Sequence, residues 1–259
     1  MATKLLASAH SSVLCVFGAG AQADLHIRYM RHVRPTLRTI YIINRSVERA
    51  AQLVQKLLQP GDVSPSLLDR TVVAHAAAAS TTSAHAPADC KEKAVEVAML
   101  GMQSVAWHCV DLTDATAVKH AVHAADIIVT ATNSNTPLFD GRDVRAGCHL
   151  NCVGSYRPTM QEIDSHVVCA AVASGTVTVD CEAAIAEAGD LCKPIGDGVC
   201  RADTIKLLGE WLATNSSPRT SPQQVSIFKS VGTSVKDVAT AQLALEIAER
   251  RSCGSRITL

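Results

Sequence analysis

The chain has 259 residues, 47% of them apolar, with 24 Lys+Arg balanced by 24 Asp+Glu and a formal net charge of zero. That length buries a substantial core and suits one large or two small domains. The balanced charge, without any basic block, argues against nucleic acid as a partner, and no apolar run approaches the roughly 18 residues that cross a bilayer, which argues against a membrane.

Residues 1–12 read as the end of a linking helix. The start Met1-Ala2-Thr3-Lys4-Leu5-Leu6 superficially resembles a targeting segment, but it runs directly into the first strand, so a removed leader is not expected. Val13–Phe17 is an apolar strand, followed by Gly18-Ala19-Gly20-Ala21-Gln22-Ala23 and a helix over about 21–33. In this Gly-x-Gly-x-x-Ala turn Gly18 permits the tight bend, Gly20 lets backbone approach a pyrophosphate, and Ala23 lets helix and strand pack closely. The helix start aims free N–H groups and partial positive charge at that anion. A second strand over 39–43 ends in Asn44-Arg45-Ser46, before a helix over 46–58. An NAD site usually places Asp or Glu there for the ribose 2′-hydroxyl. Asn44, Arg45 and Ser46 instead suit a 2′-phosphate, to which Arg makes forked, charge-assisted bonds. The cofactor expected from these residues is NADP(H).

Strand–helix alternation then breaks. Residues from about 60 to 105 read as a flexible surface insertion; its 71–88 portion is rich in Ala, Ser, Thr and His and nearly free of large apolar side chains. A short amphipathic helix is expected over 91–100. Ser104–Val110 reads as a strand, Thr113–His123 as a helix capped by Thr113 or Asp114, and Asp126–Ala131 as a strand. Cys148–Val153 is a further strand closed by Gly154, and Val167–Ala171 and Thr176–Val179 read as two short ones. Glu182–Ala188 reads as a helix stopped by Gly189, residues 214–222 as a loop into a strand over Val225–Lys229, and Ser234 to Arg251 as a closing helix. The pattern is α/β, a doubly wound and mostly parallel sheet. Ligands bind such sheets at the carboxyl ends of strands, so the loops after Phe17, Ile43, Ala131 and Val153 should converge on one crevice.

The ten cysteines show no Cys-x-x-Cys spacing, and Cys15, Cys109, Cys152 and Cys169 sit in apolar runs as small hydrophobes, so a reduced, cytoplasmic setting is expected. His120 with His123, or Cys148 with Cys152, lacks a second ligand pair, and no metal site is expected.

Several motifs fall in one order: Gly18-Ala19-Gly20-Ala21-Gln22-Ala23, Asn44-Arg45-Ser46, the run from Ala125 to Thr132, the run Gly147 to Pro158 with Glu162-Ile163-Asp164, and Phe228-Lys229-Ser230-Val231-Gly232. In this order the chain resembles the ornithine cyclodeaminase/mu-crystallin family throughout, except for the insertion. The resemblance implies a Rossmann domain and NAD(P)-dependent chemistry at carbon–nitrogen bonds of amino acids. By position it implies cofactor contacts at Ala19, Ala21 and Gln22 near the pyrophosphate and at Asn44, Arg45 and Ser46 near the 2′-phosphate. On the nicotinamide side it implies Thr130, Ala131 and Thr132 with Val153, Gly154 and Ser155, and it adds Glu187 and Ser230. Taken alone, Glu187 reads as a surface helix acid.

Two departures from the family follow. The cyclodeaminases carry a catalytic aspartate where this chain has Tyr156, and a tyrosine is no carboxylate base near neutral pH. That disfavours ornithine cyclisation and brings the chain nearer to mu-crystallin and the ketimine reductases, leaving the catalytic residues unassigned. Family members also have an N-terminal region that holds substrate and forms a dimer, and this chain begins inside the helix that leaves it. Residues 1–12 are then a linking helix end, 13–222 the dinucleotide-binding domain, and 223–259 a strand and helix belonging to the substrate and dimerisation domain, with a homodimer expected only where the N-terminal region is present. Three readings remain open: an NADPH-dependent reductase of an amino-acid-derived imine or a cyclodeaminase-like enzyme, a non-catalytic NADPH and small-ligand binder like mu-crystallin, and an inactive fragment.

Overall fold

The structure, a computed structural model, describes residues 1–59, 93–100, 103–255 and 257. The chain opens with the short helix α1 (Ala2–Leu6), then β1 (Val13–Phe17), α2 (Ala21–Val33), β2 (Thr39–Asn44) and α3 (Val47–Leu58). The strands β3 (Lys93–Leu100) and β4 (Gln103–Asp111) precede α4 (Ala115–Ala124), β5 (Ile127–Thr130) and β6 (His149–Cys152). Next come α5 (Ser165–Ala173), β7 (Val177–Val179), α6 (Ala183–Glu187), α7 (Gly189–Gly196), β8 (Lys206–Leu207) and α8 (Leu208–Ala213). The chain closes with β9 (Ser226–Lys229) and α9 (Ser234–Arg250). Among the described residues no helix is long and apolar enough to cross a membrane.

One sheet holds nine strands in the order β3-β4-β2-β1-β5-β6-β9-β7-β8, parallel throughout except for the β3–β4 pair. This is the expected doubly wound α/β sheet. Both faces are covered, which explains why its central strands are apolar without alternation. In β1, Leu14 and Val16 pack on one side with Ile27 of α2 and Leu53 and Val54 of α3. Cys15 and Phe17 pack on the other with Val118 and Val122 of α4 and Val168 of α5.

Two expectations fail. Val167–Ala171 is not a strand but part of α5. Its N-terminus is capped by Asp164, which accepts from Val167 N at 3.1 Å, and Val167, Val168, Ala171 and Val172 are buried at helical spacing. Burial of one helical face outweighs the modest helix penalty of Val167 and Val168, so residue type alone misleads there. The helix expected over 91–100 is also overturned, because Lys93–Leu100 forms β3 against β4. The edge of β4 offers unpaired backbone groups, and tertiary pairing overrides weak local propensity. The remainder of the expected insertion, 60–92 and 101–102, lies outside the described residues. Gly189 does end α6, but it also begins α7. A Cβ there would overlap the carbonyl oxygen of Met160 and sit 2.7 Å from that of Pro158, so close packing against the 158–160 loop requires glycine.

α1 crosses β6 and β9, and two guanidinium groups hold its C-terminal carbonyls. Arg34 donates to the carbonyls of Thr3 (2.7 Å), Ala7 (2.8 Å) and Ser8 (2.8 Å), and Arg219 donates to that of Leu6 (2.8 Å). Beneath it, the fully buried His149 shares a hydrogen bond with Ser226 Oγ at 2.9 Å, and Thr3 donates to Asn151. Burial, aided by the nearby Arg219 and Arg34 charges and opposed by hydrogen bonds from Asn151 and Ser226, pushes the His149 imidazole from 6.5 to about 3. The folded chain therefore keeps His149 neutral where the unfolded chain protonates it. Stability should fall as pH drops from 6.5 towards about 3, at up to about 1.4 kcal/mol per pH unit. Urea unfolding of wild type and His149→Asn at pH 7 and pH 4.5 measures this term: the wild type loses about 2–3 kcal/mol more than the variant. Equal losses would contradict the burial of a neutral imidazole.

Candidate active site

The carboxyl ends of β1, β5, β6 and β9 line up at one crest of the sheet, and the turns beyond them enclose an open cleft of about 410 Å³. Gln22 and His26 come from α2, Ala131 and Thr132 from the turn after β5, Val153, Gly154 and Tyr156 from the turn after β6, and Phe228 with Ser230–Gly232 from the end of β9. In the turn after β1, Gly18 has φ +108°, and a Cβ there would sit 2.7 Å from Ala131 O, so this turn presses on the one after β5. Gly20, at the N-cap of α2, behaves differently. It is exposed, no side chain caps the helix, and a Cβ there would meet no protein atom within 4 Å. The protein's own packing does not require glycine at that point, and the first amides of a 13-residue helix are left open.

Behind the cleft, Glu162 ties two of these turns together. One carboxylate oxygen accepts from Thr132 N (2.6 Å) and Thr132 Oγ1 (2.7 Å), and the other from Thr130 Oγ1 (2.8 Å), Gly154 N (2.8 Å) and Ser155 N (3.1 Å). A Cβ on Gly154 would overlap both Thr132 O and Glu162 Oε1, so the turn fits the carboxylate only with glycine. Asp190, at the start of α7, accepts in turn from Glu162 N (2.7 Å) and Ile163 N (3.2 Å) and pairs with Lys229 Nζ of β9 at 3.1 Å. Glu162, Asp190 and Lys229 are all fully buried. Burial and the Asp190 carboxylate push the Glu162 carboxyl up, against the pull of its Thr132 hydrogen bonds and of Lys229. Two buried carboxylates against one ammonium favour a retained proton relative to an isolated glutamate.

Asp180, just beyond β7, fixes the opposite wall. It accepts from Ser230 Oγ (2.6 Å), Gly232 N (3.0 Å), Val231 N (3.3 Å) and Lys236 Nζ of α9 (2.8 Å). The wall of the cleft and the first turn of α9 therefore hang on one carboxylate.

The structure brings together Gln22, Ala131, Thr132, Val153, Gly154 and Ser230 of the expected cofactor residues, with Gly18, Ala19, Gly20 and Ala21 in the turn at the mouth. It places others elsewhere. Thr130 is buried and faces Glu162, while Ser155 donates from its hydroxyl to Met160 O and accepts from Asp190 N. Asn44, Arg45 and Ser46 stand at the end of β2, beyond the lining of the cleft. Asn44 donates to Ser46 O, Ser46 caps α3 and donates to Glu48, and Arg45 is exposed. Glu187 is exposed at the end of α6, off the cleft wall. Tyr156 is 48% exposed at the cleft, with the Arg157 guanidinium 5.4 Å from its ring centre. Sequence reasoning assigned no role to Glu162, Lys229, Asp190 or Asp180. The first two lie within quoted motifs, but what they hold is visible only once distant segments meet.

The model of the ornithine cyclodeaminase/mu-crystallin family matches residues 1–93 and 88–252. This chain belongs to that family. Its relatives include Delta(1)-pyrroline-2-carboxylate reductase of Bacillus cereus (strain ATCC 10987 / NRS 248), 41% identical over 143 residues, 55% of this chain and 43% of that protein. Protein SAR DEFICIENT 4 of Arabidopsis thaliana is 30% identical over 247 residues, 95% of this chain and 61% of that protein. Among solved structures, Thermococcus litoralis Delta(1)-pyrroline-2-carboxylate reductase in complex with NADH and L-proline superposes with a TM-score of 0.73 at 23% identity, covering 99% of this chain and 64% of that one. A probable ornithine cyclodeaminase from Bordetella pertussis Tohama I gives 0.66 at 25% identity, over 98% and 65%. The chain thus spans 43% of the length of its Bacillus cereus relative and about two thirds of these solved family members.

Glu162→Gln keeps the shape but turns an NH₂ towards backbone amides that need an acceptor. It should destabilise the chain by about 2–3 kcal/mol in urea unfolding. A variant as stable as wild type would show that the two turns do not depend on this carboxylate.

Proposed function

We propose that this chain is the dinucleotide-binding part of an NADP(H)-dependent reductase acting on an amino-acid-derived imine. The observation that carries the reading is the mouth of the cleft: an uncapped helix start at Gly20, where only a ligand would require the missing side chain. The amides of Ala19–Gln22 would hold the pyrophosphate there. Arg45, exposed at the end of β2 with Asn44 and Ser46 and no acid among the three, would take the 2′-phosphate. The nicotinamide would lie against Ala131, Thr132, Val153 and Gly154, where it supplies a hydride. Val153 and Phe228 offer an apolar lining that limits water, and the Glu162 network fixes the turn that carries Val153. Ser230 would contribute backbone contacts, since its hydroxyl is held by Asp180. Ser155 would act from behind through the same network, and Glu187 would reach the cofactor only from the surface of α6.

The substrate class is supported by relatives named as pyrroline-2-carboxylate reductases and by the L-proline and NADH held by the Thermococcus enzyme. A cytoplasmic protein and a homodimer formed through a preceding region belong to the same reading. It is supported by the unpaired thiols and by Val235, Val238, Leu243 and Leu245 standing exposed on α9. A second reading, NADPH held without turnover, draws support from Tyr156, which stands at the cleft in place of a carboxylate.

Loss of NADPH absorbance on adding a cyclic ketimine carboxylate separates the two readings: turnover is expected where the chain is joined to a substrate-holding region, whereas saturable binding without oxidation there favours the second. Arg45→Ala should weaken NADPH by about 1.5–3 kcal/mol and leave NADH nearly unchanged in a fluorescence titration. Equal losses for both would overturn the phosphate assignment.

A further inference from the structure

Two cysteines outside the cleft lining lie close together, one on α5 and one just beyond α7. Cys169 lies on α5, and its Sγ donates at 3.8 Å to the carbonyl of Val199, the residue before Cys200. Cys200 follows α7, and its backbone N–H, like that of Val199, is anchored on Pro194 O at the end of that helix. Both thiols are half-buried and reachable from solvent. Another close pair, Cys15 and Cys148, is fully buried in the core, where burial pushes Cys148 up to about 12 and keeps both inert.

We propose that Cys169 and Cys200 form a peroxide-responsive pair that closes to a disulfide and pins α5 to the end of α7. The Cys169 sulfur attacks one oxygen of a hydroperoxide. The O–O bond breaks, water or an alcohol leaves, and Cys169 becomes a sulfenic acid. The Cys200 sulfur then displaces hydroxide from it, and the Cys200 proton leaves with that hydroxide as water. Two thiols are oxidised by two electrons and one peroxide is reduced. Burial and the neighbouring sulfur push Cys200 up to about 11, which keeps it protonated at neutral pH until its sulfur attacks. α5 and α7 already pack together, and α7 begins with Asp190, the partner of Lys229 and of the Glu162 backbone. The cross-link would close a loop of about 30 residues around that packing.

The test is treatment of the whole chain with a small excess of hydrogen peroxide, alkylation under denaturing conditions and peptide mapping by mass spectrometry. The expected product is a peptide pair joined through 169 and 200, two hydrogens lighter than the reduced form. It should vanish on dithiothreitol and be absent from Cys169→Ser and from Cys200→Ser. The oxidised wild type should melt about 5–8 °C higher, with neither variant shifting. Full alkylation of both cysteines after peroxide, sulfinic acid at either one without a cross-link, or cross-links joining other cysteines would overturn the proposal. So would a 169–200 cross-link that leaves the melting temperature unchanged. If a serine variant does not fold, the wild-type map and its reversal by dithiothreitol decide alone.

Discussion

A single buried carboxylate decides the shape of the cleft. The turns after β5 and β6 lie side by side at the crest, and neither is held in place by strand pairing beyond its first residue. Glu162 supplies what pairing cannot, taking three backbone amides and two hydroxyls from these turns on two oxygens. Such an arrangement is stable only because its own backbone is held by Asp190 and because Asp190 is neutralised by Lys229. Removing any one member leaves another charge or several amides buried without a partner, so the three act as a unit. The result is a rigid floor under the inner end of the cleft, while its outer end at Gly20 stays open to solvent.

Most of the sheet was legible because each central strand is a short apolar run between turn residues, and the first glycine turn fixed the order of β1 and α2. Where the reading failed, the physics was non-local. Val167–Ala171 has the composition of a buried strand, and only Asp164 at its N-terminus marks a helix. β3 exists as a strand because β4 offers it an edge. The cleft residues contributed by glycine and alanine were legible, since small residues at strand ends have few other uses. Ser155 and Thr130 sit at the expected positions yet turn inward: Glu162, 32 residues away, takes the Thr130 hydroxyl, while Met160 and Asp190, five and 35 residues away, hold that of Ser155. No spacing rule reaches that far.

The cleft also has two ends of different character. Its inner wall is fixed twice over, by Glu162 beneath and by Asp180 at the side, and Asp180 further joins that wall to α9 through Lys236. α9 presents Val235, Val238, Leu243 and Leu245 to solvent, which suits a helix made to be covered. The chain spans about two thirds of the length of the solved Thermococcus and Bordetella family members. By contrast, the helix start at Gly20 lies open, with no side chain capping it.

The central claim, that the open helix start holds the pyrophosphate and the turn after β6 the nicotinamide of one dinucleotide, is tested most directly by the structure of the chain with NADPH. The account predicts the pyrophosphate on the amides of Ala19–Gln22, the 2′-phosphate within hydrogen-bonding distance of Arg45, and the nicotinamide beside Val153 and Gly154. NADPH bound elsewhere, or with its 2′-phosphate turned away from Arg45 into solvent, would contradict it.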